Sequence, residues 1–351
     1  MTVPSHRGTK AASESMAPAT QPSFFPKGKG RILSIFEVSG RGKAGSHGPT
    51  CCLALQNTDV ILLATLALFT VLALAFPGRV TDWSTLVLKN FAVAVAYLVC
   101  ATLAQRSLWK PLRFSLRLVP VALTYGYLFL ATDSLQFLIF AGFQDQLIVD
   151  LEQMVLGFQP AVWLERFARP AVTEWMMFAY MFYFVMYPLL CSVIYFKHGE
   201  PEMEHFLFTL GLTNVLCDLC FILLPIGGPL TGIPDQFAVP LEGCFFTRLG
   251  ELVRSNLQFP GGSLPSPHCA AATIMWAMAW RYHRRLFWLL LPLVLSLYIS
   301  TVFGRYHYLS DAVTGIVTAL LVLPVARWIE RRTGNQCPDT SRGSAQTAQA
   351  N

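Results

Sequence analysis

The amino-acid sequence predicts an all-α integral membrane protein. Three observations carry this: 54% of the 351 residues are hydrophobic and only 13% are charged, the mean hydropathy is +0.48, and apolar runs of the length that spans a bilayer as a helix recur along the chain. An ordinary soluble domain carries roughly a quarter charged residues, so composition excludes most soluble classes. The formal net charge of +6 does not indicate nucleic acid, because the basic residues gather in the N-terminal region and in short loops rather than on one soluble face.

Taken in order, residues 1–52 are rich in Ser, Gly, Pro, Lys and Arg and read as a disordered basic tail. The first strongly apolar run begins near residue 53, too far along for an ordinary signal-peptide core. Cys51 and Cys52 precede it and are placed for acylation. Apolar windows at 60–76, 86–103, 118–140, 175–195, 206–224, 269–282, 287–303 and 312–325 predict eight spans, the sixth being short. Two helices within 53–114 then precede a six-helix membrane domain over 115–330, and residues 331–351 form a second disordered tail. Residues 145–170 mix apolar side chains with Asp150, Glu152, Glu165, Arg166 and Arg169, which predicts an amphipathic helix lying in the interface.

Loop charge sets the orientation. Arg106, Lys110, Arg113 and Arg117 fall between spans two and three, Lys197 between four and five, Arg281, Arg284 and Arg285 between six and seven, and Arg327, Arg331 and Arg332 after span eight. All lie on one side, which the positive-inside rule makes cytoplasmic together with both termini. The opposite side receives the two polar islands of the C-terminal half, Gly261-Gly262-Ser263-Leu264-Pro265-Ser266-Pro267-His268 and Gly304-Arg305-Tyr306-His307-Tyr308-Leu309-Ser310-Asp311.

The first island reads as a loop feeding a helix, with Ser266 as N-cap, Pro267 at the first helical position and His268 in the first turn. A helix start of that kind presents free N–H groups to an anion. In the second island His307 and Asp311 are four apart, so a helix beginning by Tyr308 would let the carboxylate hold the imidazole directly. Arg305 precedes His307 by two residues, where an extended chain would put both side chains on one face.

Gly-x-x-Pro-Ser-x-His over 262–268, followed by His-Tyr-x-x-Asp over 307–311, resembles the type 2 phosphatidic acid phosphatase superfamily of membrane lipid phosphatases and phosphotransferases. The chain looks most similar to its inositolphosphotransferase-like branch, in which a Gly-Pro follows an apolar run upstream, here Gly228-Pro229. The resemblance implies that His307 attacks phosphorus and becomes a phosphohistidine, that Asp311 orients it, and that His268 protonates the departing alkoxide. Ser266, Arg305 and the backbone around Gly262 would hold the phosphate. It further implies a phosphorylated lipid as substrate, a lipid alcohol as a second acceptor beside water, no metal and no cofactor.

Two departures accompany the resemblance. Most of the superfamily's phosphatases have an arginine where this chain has Thr301, and they carry basic residues upstream where this chain has Gly228-Pro229-Leu230. Arg248 and Arg254 can replace the missing charge or can be ordinary solvated loop residues. Asp133, Asp218 and Lys89 lie in or near spans, where ionisable groups are costly and often functional. Asp133 in particular either lines a substrate cavity or is a paired structural residue. Cys217 and Cys220 have a redox-like spacing but sit inside an apolar run, which favours helix packing. The aromatic residues of 180–187 read as packing and interface anchors. Against the enzymatic reading stands a non-enzymatic transporter or scaffold that keeps the fold.

Overall fold

In a computed structural model, residues 55–257 and 259–333 are described, and they are helical throughout with no strand among them. The acylation expected at Cys51 and Cys52 and most of the two expected tails lie outside these residues. The helices are α1 (Asn57–Ala75), α2 (Trp83–Arg106), α3 (Lys110–Thr132), α4 (Asp145–Leu156), the single turn α5 (Pro160–Trp163) with a 3-10 turn after it, α6 (Pro170–His198), α7 (Glu200–Leu223), the single turn α8 (Pro229–Gly232), α9 (Phe245–Leu257), α10 (Pro267–Tyr282), α11 (Arg284–Phe303) and α12 (Leu309–Thr333).

All eight expected spans are helices. Seven of them are long and apolar enough to cross a membrane. The eighth, α10, has 16 residues, about 24 Å at 1.5 Å per residue, against a hydrocarbon core of about 30 Å. The third span is displaced: α3 ends at Thr132 rather than near 140 and starts at Lys110, so Lys110, Arg113 and Arg117 belong to its first turns rather than to a loop. The last helix runs to Thr333, three residues past the drawn domain edge.

Residues 145–170 differ from the single amphipathic helix the sequence predicts. Gly157 takes φ +78 and caps α4 through its N–H to the Gln153 carbonyl, which is the left-handed C-cap that glycine supplies without penalty. Pro160 then opens α5, and the chain bends by 67° between the two pieces. The pair is either one broken span or a re-entrant segment by length and composition.

Helix α7 is the centre of the bundle, packing on α1, α3, α6, α10 and α12. Two-thirds (67%) of its apolar window is buried against protein, compared with 22% for α2. In a bilayer, lipid rather than water covers the exposed apolar side chains of α2, such as Leu88 and Phe91, so helix packing relies on close fit and polar ties. Gly211 of α7 provides such a fit, since the Tyr125 ring of α3 occupies the space a Cβ would take and its hydroxyl donates to the Leu207 carbonyl at 2.9 Å.

Contacts define the two ends of the bundle. At one end, Asn57 at the start of α1 meets Thr333 at the end of α12 (3.1 Å), and Lys197 before the α6–α7 turn meets His283 between α10 and α11 (2.7 Å). The opposite end carries the α1–α2 turn, where Arg79 donates to the Leu138 carbonyl (2.7 Å), along with α4, α5, α8, α9 and both histidine islands.

Candidate active site

The site is built where two loops meet between α9, α10 and α12. Ser266 caps α10 as expected, its hydroxyl accepting from the Cys269 N–H at 3.3 Å. Its own N–H donates to the Asp311 carbonyl at 2.9 Å, which ties the first island to the second by backbone. The second island is a tight reversal: the Thr301 carbonyl at the end of α11 accepts from both Tyr306 N–H and His307 N–H, each 3.1 Å. Arg305 occupies the left-handed region at φ +64, so the extended chain expected at 305–307 is absent.

His307 is buried and its ring is fixed through Nδ1, which lies 3.0 Å from the Ser263 carbonyl and 3.1 Å from the Ser263 hydroxyl. A carbonyl only accepts, so Nδ1 carries a proton, and in the neutral ring the lone pair is on Nε2. Asp311 does not hold the ring directly. Its Oδ2 is 3.8 Å from Nδ1, beyond hydrogen-bond length, because α12 begins at Leu309 and His307 stands outside the helix. The same Oδ2 instead accepts from the Ser263 hydroxyl at 2.7 Å and from the Tyr308 N–H at 2.8 Å. The carboxylate therefore reaches His307 through Ser263, a residue the motif spacing did not single out.

His268 is held by rings. Tyr180 stacks on it at 4.7 Å and Tyr183 leans on it at 5.1 Å, while Tyr180 stacks in turn on Tyr306 at 4.7 Å. These tyrosines of α6 had read as packing residues only. The His268 and His307 rings are 5.7 Å apart.

Both histidines line one cavity of about 210 Å³, partly open to solvent, together with Gly261, Gly262, Arg254, Arg305 and an apolar wall that includes Phe129, Leu230 and Phe259. Gly262 takes φ +65, and a Cβ there would press on Phe129 and Phe259 at 3.1 and 3.2 Å, so a side chain would be strained and crowded. Ser266 is fully buried and is not among the residues bordering the cavity; it serves the backbone. Arg305 borders the cavity, but its guanidinium pairs with Glu165 at 2.8 Å, donates to the Val239 carbonyl and lies over the Phe237 ring. Burial pulls its pKa down from the usual arginine value, against the opposing pull of Glu165. Arg248 is exposed and does not border the cavity.

Three acidic residues of the bent segment support the loops. The Asp145 carboxylate accepts from Gly227 N–H (2.8 Å), Gly228 N–H (2.9 Å) and the Tyr308 hydroxyl (3.0 Å). Gly228, at φ +85, packs so close to the Tyr306 carbonyl that a Cβ would come within 2.6 Å of it. Glu152 accepts from the N–H and hydroxyl of Ser310 (2.8 and 2.7 Å), capping α12. Glu165 holds Arg305. Asp133 does not border the cavity; it accepts from Gln136 Nε2 at 2.7 Å, and that amide also meets the Pro260 carbonyl at 3.2 Å. Asp218 is buried in α7, and Lys89 is exposed on α2. Among the described residues no three His, Cys, Asp or Glu side chains are grouped to hold a metal, and Cys217 and Cys220 are unpaired thiols of α7.

Comparison with known families decides the affiliation: the family model of the PAP2 superfamily matches residues 146–325, about half of the chain. The chain belongs to the PAP2 superfamily. No curated protein and no solved structure matches it. As a PAP2 protein with seven or eight candidate membrane-spanning helices, it is a multi-pass membrane protein, and membership points to phosphatase-type chemistry on a phosphorylated substrate. The matched residues contain both histidine islands and the bent segment from residue 146 onward, whereas α1 to α3 lie before them.

Proposed function

We propose that this PAP2 protein is a membrane lipid phosphatase or phosphotransferase of the inositolphosphotransferase-like branch, working through a phosphohistidine at the non-cytoplasmic face. The observation that carries the reading is the state of His307: Nδ1 is committed to Ser263, so Nε2 is the nitrogen with a lone pair to offer, and the ring borders the same cavity as His268.

In the reaction, His307 Nε2 attacks phosphorus and the P–O bond to the lipid alcohol breaks. His268 gives its proton to the departing alkoxide. Water or a lipid hydroxyl then attacks the phosphohistidine and returns a proton to His268, and the P–N bond breaks to regenerate His307. Asp311, acting through the Ser263 hydroxyl, stabilises positive charge on the His307 ring as the bond to phosphorus forms. Arg305 and the N–H groups of Gly261 and Gly262 face the phosphate oxygens. The Phe129, Leu230 and Phe259 wall fits the apolar part of an amphiphile. The seat of Gly228-Pro229 against the catalytic loop supports the branch assignment.

The basic residues at the opposite end of the bundle support an orientation with the cavity in the periplasm, lumen or extracellular space and both termini in the cytoplasm. The test presents purified protein, with a His307→Ala control, to phosphatidic acid, prenyl diphosphate and phosphatidylinositol, with and without ceramide or diacylglycerol, and analyses the products by mass spectrometry. Free phosphate, or an acceptor-dependent phospho-head-group product, should form and vanish in the variant. If no substrate is turned over, the scaffold or transporter alternative replaces this reading.

A further inference from the structure

The cavity is short of positive charge. A phosphomonoester brings one or two negative charges, against the single positive charge that His268 carries as the acid. Arg305 is already balanced by Glu165 at 2.8 Å. Thr301 is fully buried and engaged with the Tyr298 carbonyl and Cys269, so no cation enters from the end of α11. The other cation at the cavity is Arg254.

Arg254 sits on α9, and its ion-pair partner is Glu251 of the same helix, three residues earlier. The Arg254 side chain is 40% exposed and that of Glu251 60%, and a solvent-facing pair of this kind contributes little to stability. The pairing with Glu251 raises the Arg254 pKa and lowers that of Glu251, so both stay charged near neutral pH. The helix is anchored at its start, where Glu174 of α6 accepts from the N–H groups of Cys244, Phe246 and Thr247. It packs along α6, the helix that also carries Tyr180 and Tyr183. Its outer surface exposes Phe245 and Leu252, the pattern of a helix resting among lipid head groups.

We propose that Arg254 is a substrate ligand, exchanging its bond to Glu251 for the phosphate group of an amphiphilic phosphoester when that group enters the cavity. This rests on the enzymatic reading above and adds a residue to its binding site. Exchange costs little because the partner given up is exposed, whereas the bond gained is charge-assisted and partly shielded from water. Glu251 then acts as a competitor: it holds Arg254 near the cavity mouth and repels anions until one displaces it.

The test uses the full-length protein in detergent and two readouts, calorimetric binding of inorganic phosphate and the KM for phosphatidic acid hydrolysis. Arg254→Gln should weaken phosphate binding and raise KM by about ten- to a hundredfold with kcat less affected, and Arg254→Lys should recover part of the loss. Glu251→Gln should move the opposite way, tightening phosphate about two- to fivefold, a direction that loss of a merely structural pair would not give. Unchanged phosphate affinity and KM in both Arg254 variants, with wild-type turnover intact, overturns the proposal and leaves the enzymatic reading standing. Arg254-dependent phosphate binding without turnover of any lipid supports the ligand role and removes the enzymatic reading. A wild-type protein that neither binds phosphate nor turns over overturns both.

Discussion

At the residue scale, the chemistry turns on which atoms hold the His307 ring. Its Nδ1 has two contacts on Ser263, the carbonyl and the hydroxyl, and these are separable by mutation. Ser263→Ala removes the route to Asp311 but leaves the carbonyl bond that sets the tautomer, so kcat should fall by about tenfold rather than disappear. Asp311→Asn removes the charge itself and should cost about a hundredfold or more; initial rates of phosphate release at saturating substrate check both. His268→Gln should abolish turnover of an alkyl phosphate, yet cost much less with p-nitrophenyl phosphate, whose leaving group needs no proton. Equal losses with both substrates would remove His268 from the acid role.

The same residues show what the sequence could and could not reveal. The spacing of His307 and Asp311, and the capping pattern Ser266-Pro267-His268, are local, and local chemistry is legible. Ser263 was not, because its contact with His307 depends on a loop reversal that places Arg305 in the left-handed region, a conformation the extended reading of 305–307 excluded. Arg305 was chosen for its charge, but Glu165, 140 residues earlier, balances that charge. The Tyr180 and Tyr183 contacts were hidden for a similar reason: an aromatic residue on an apolar helix looks the same whether it packs on leucine or on a histidine ring of the cavity.

At the element scale, the bent segment from α4 to α5 acts as a bracket for both islands. Asp145 and Glu152 are seven apart, which puts them on one face of α4, and that spacing of acids without basic neighbours was a signal available in the sequence. Amphipathicity was read correctly, but Gly157 and Pro160 divide the stretch into two pieces at an angle. Glu152→Ala should leave the Ser310 N–H and hydroxyl without their acceptor, fraying the start of α12 at a cost of about 1–2 kcal/mol. A thermal-melting comparison in detergent should show a lower midpoint, and KM and kcat should both suffer because Asp311 follows Ser310 directly.

At the scale of the whole molecule, the helices preceding the family match are bound to the matched core by a buried charge cluster at the end of the bundle opposite the site. Arg117 of α3 donates to Asp59 of α1 at 2.7 Å and to Glu204 of α7 at 2.9 Å, while Tyr97 of α2 donates to Asp59 at 2.5 Å and the Thr58 N–H donates to Glu204 at 2.9 Å. Arg117 had been counted among loop charges, since hydropathy cannot tell a buried partnered arginine from a cytoplasmic one. Removing one partner leaves the others charged and unpaired, so Arg117→Met should destabilise the fold by about 3–5 kcal/mol, read as a large loss of thermal stability with the lipid product profile unchanged at low temperature. The end-to-end arrangement also gives a labelling prediction. Cys244 is the exposed cysteine among the described residues and lies at the site end, so a membrane-impermeant maleimide applied to the non-cytoplasmic side of sealed cells should modify wild type but not Cys244→Ser. Labelling of Cys244 only after the cytoplasmic side is opened would reverse the orientation.

The most direct measurement is acid-free, alkaline quenching of the protein during turnover of a phosphorylated lipid, followed by peptide mass spectrometry of the segment holding residues 304–311. A phosphoryl group on His307, stable to alkali and lost in acid, should appear within the turnover time and be absent from His307→Ala. Robust turnover with His307 never phosphorylated, or with the phosphoryl group trapped on another residue, would contradict His307 as the nucleophile.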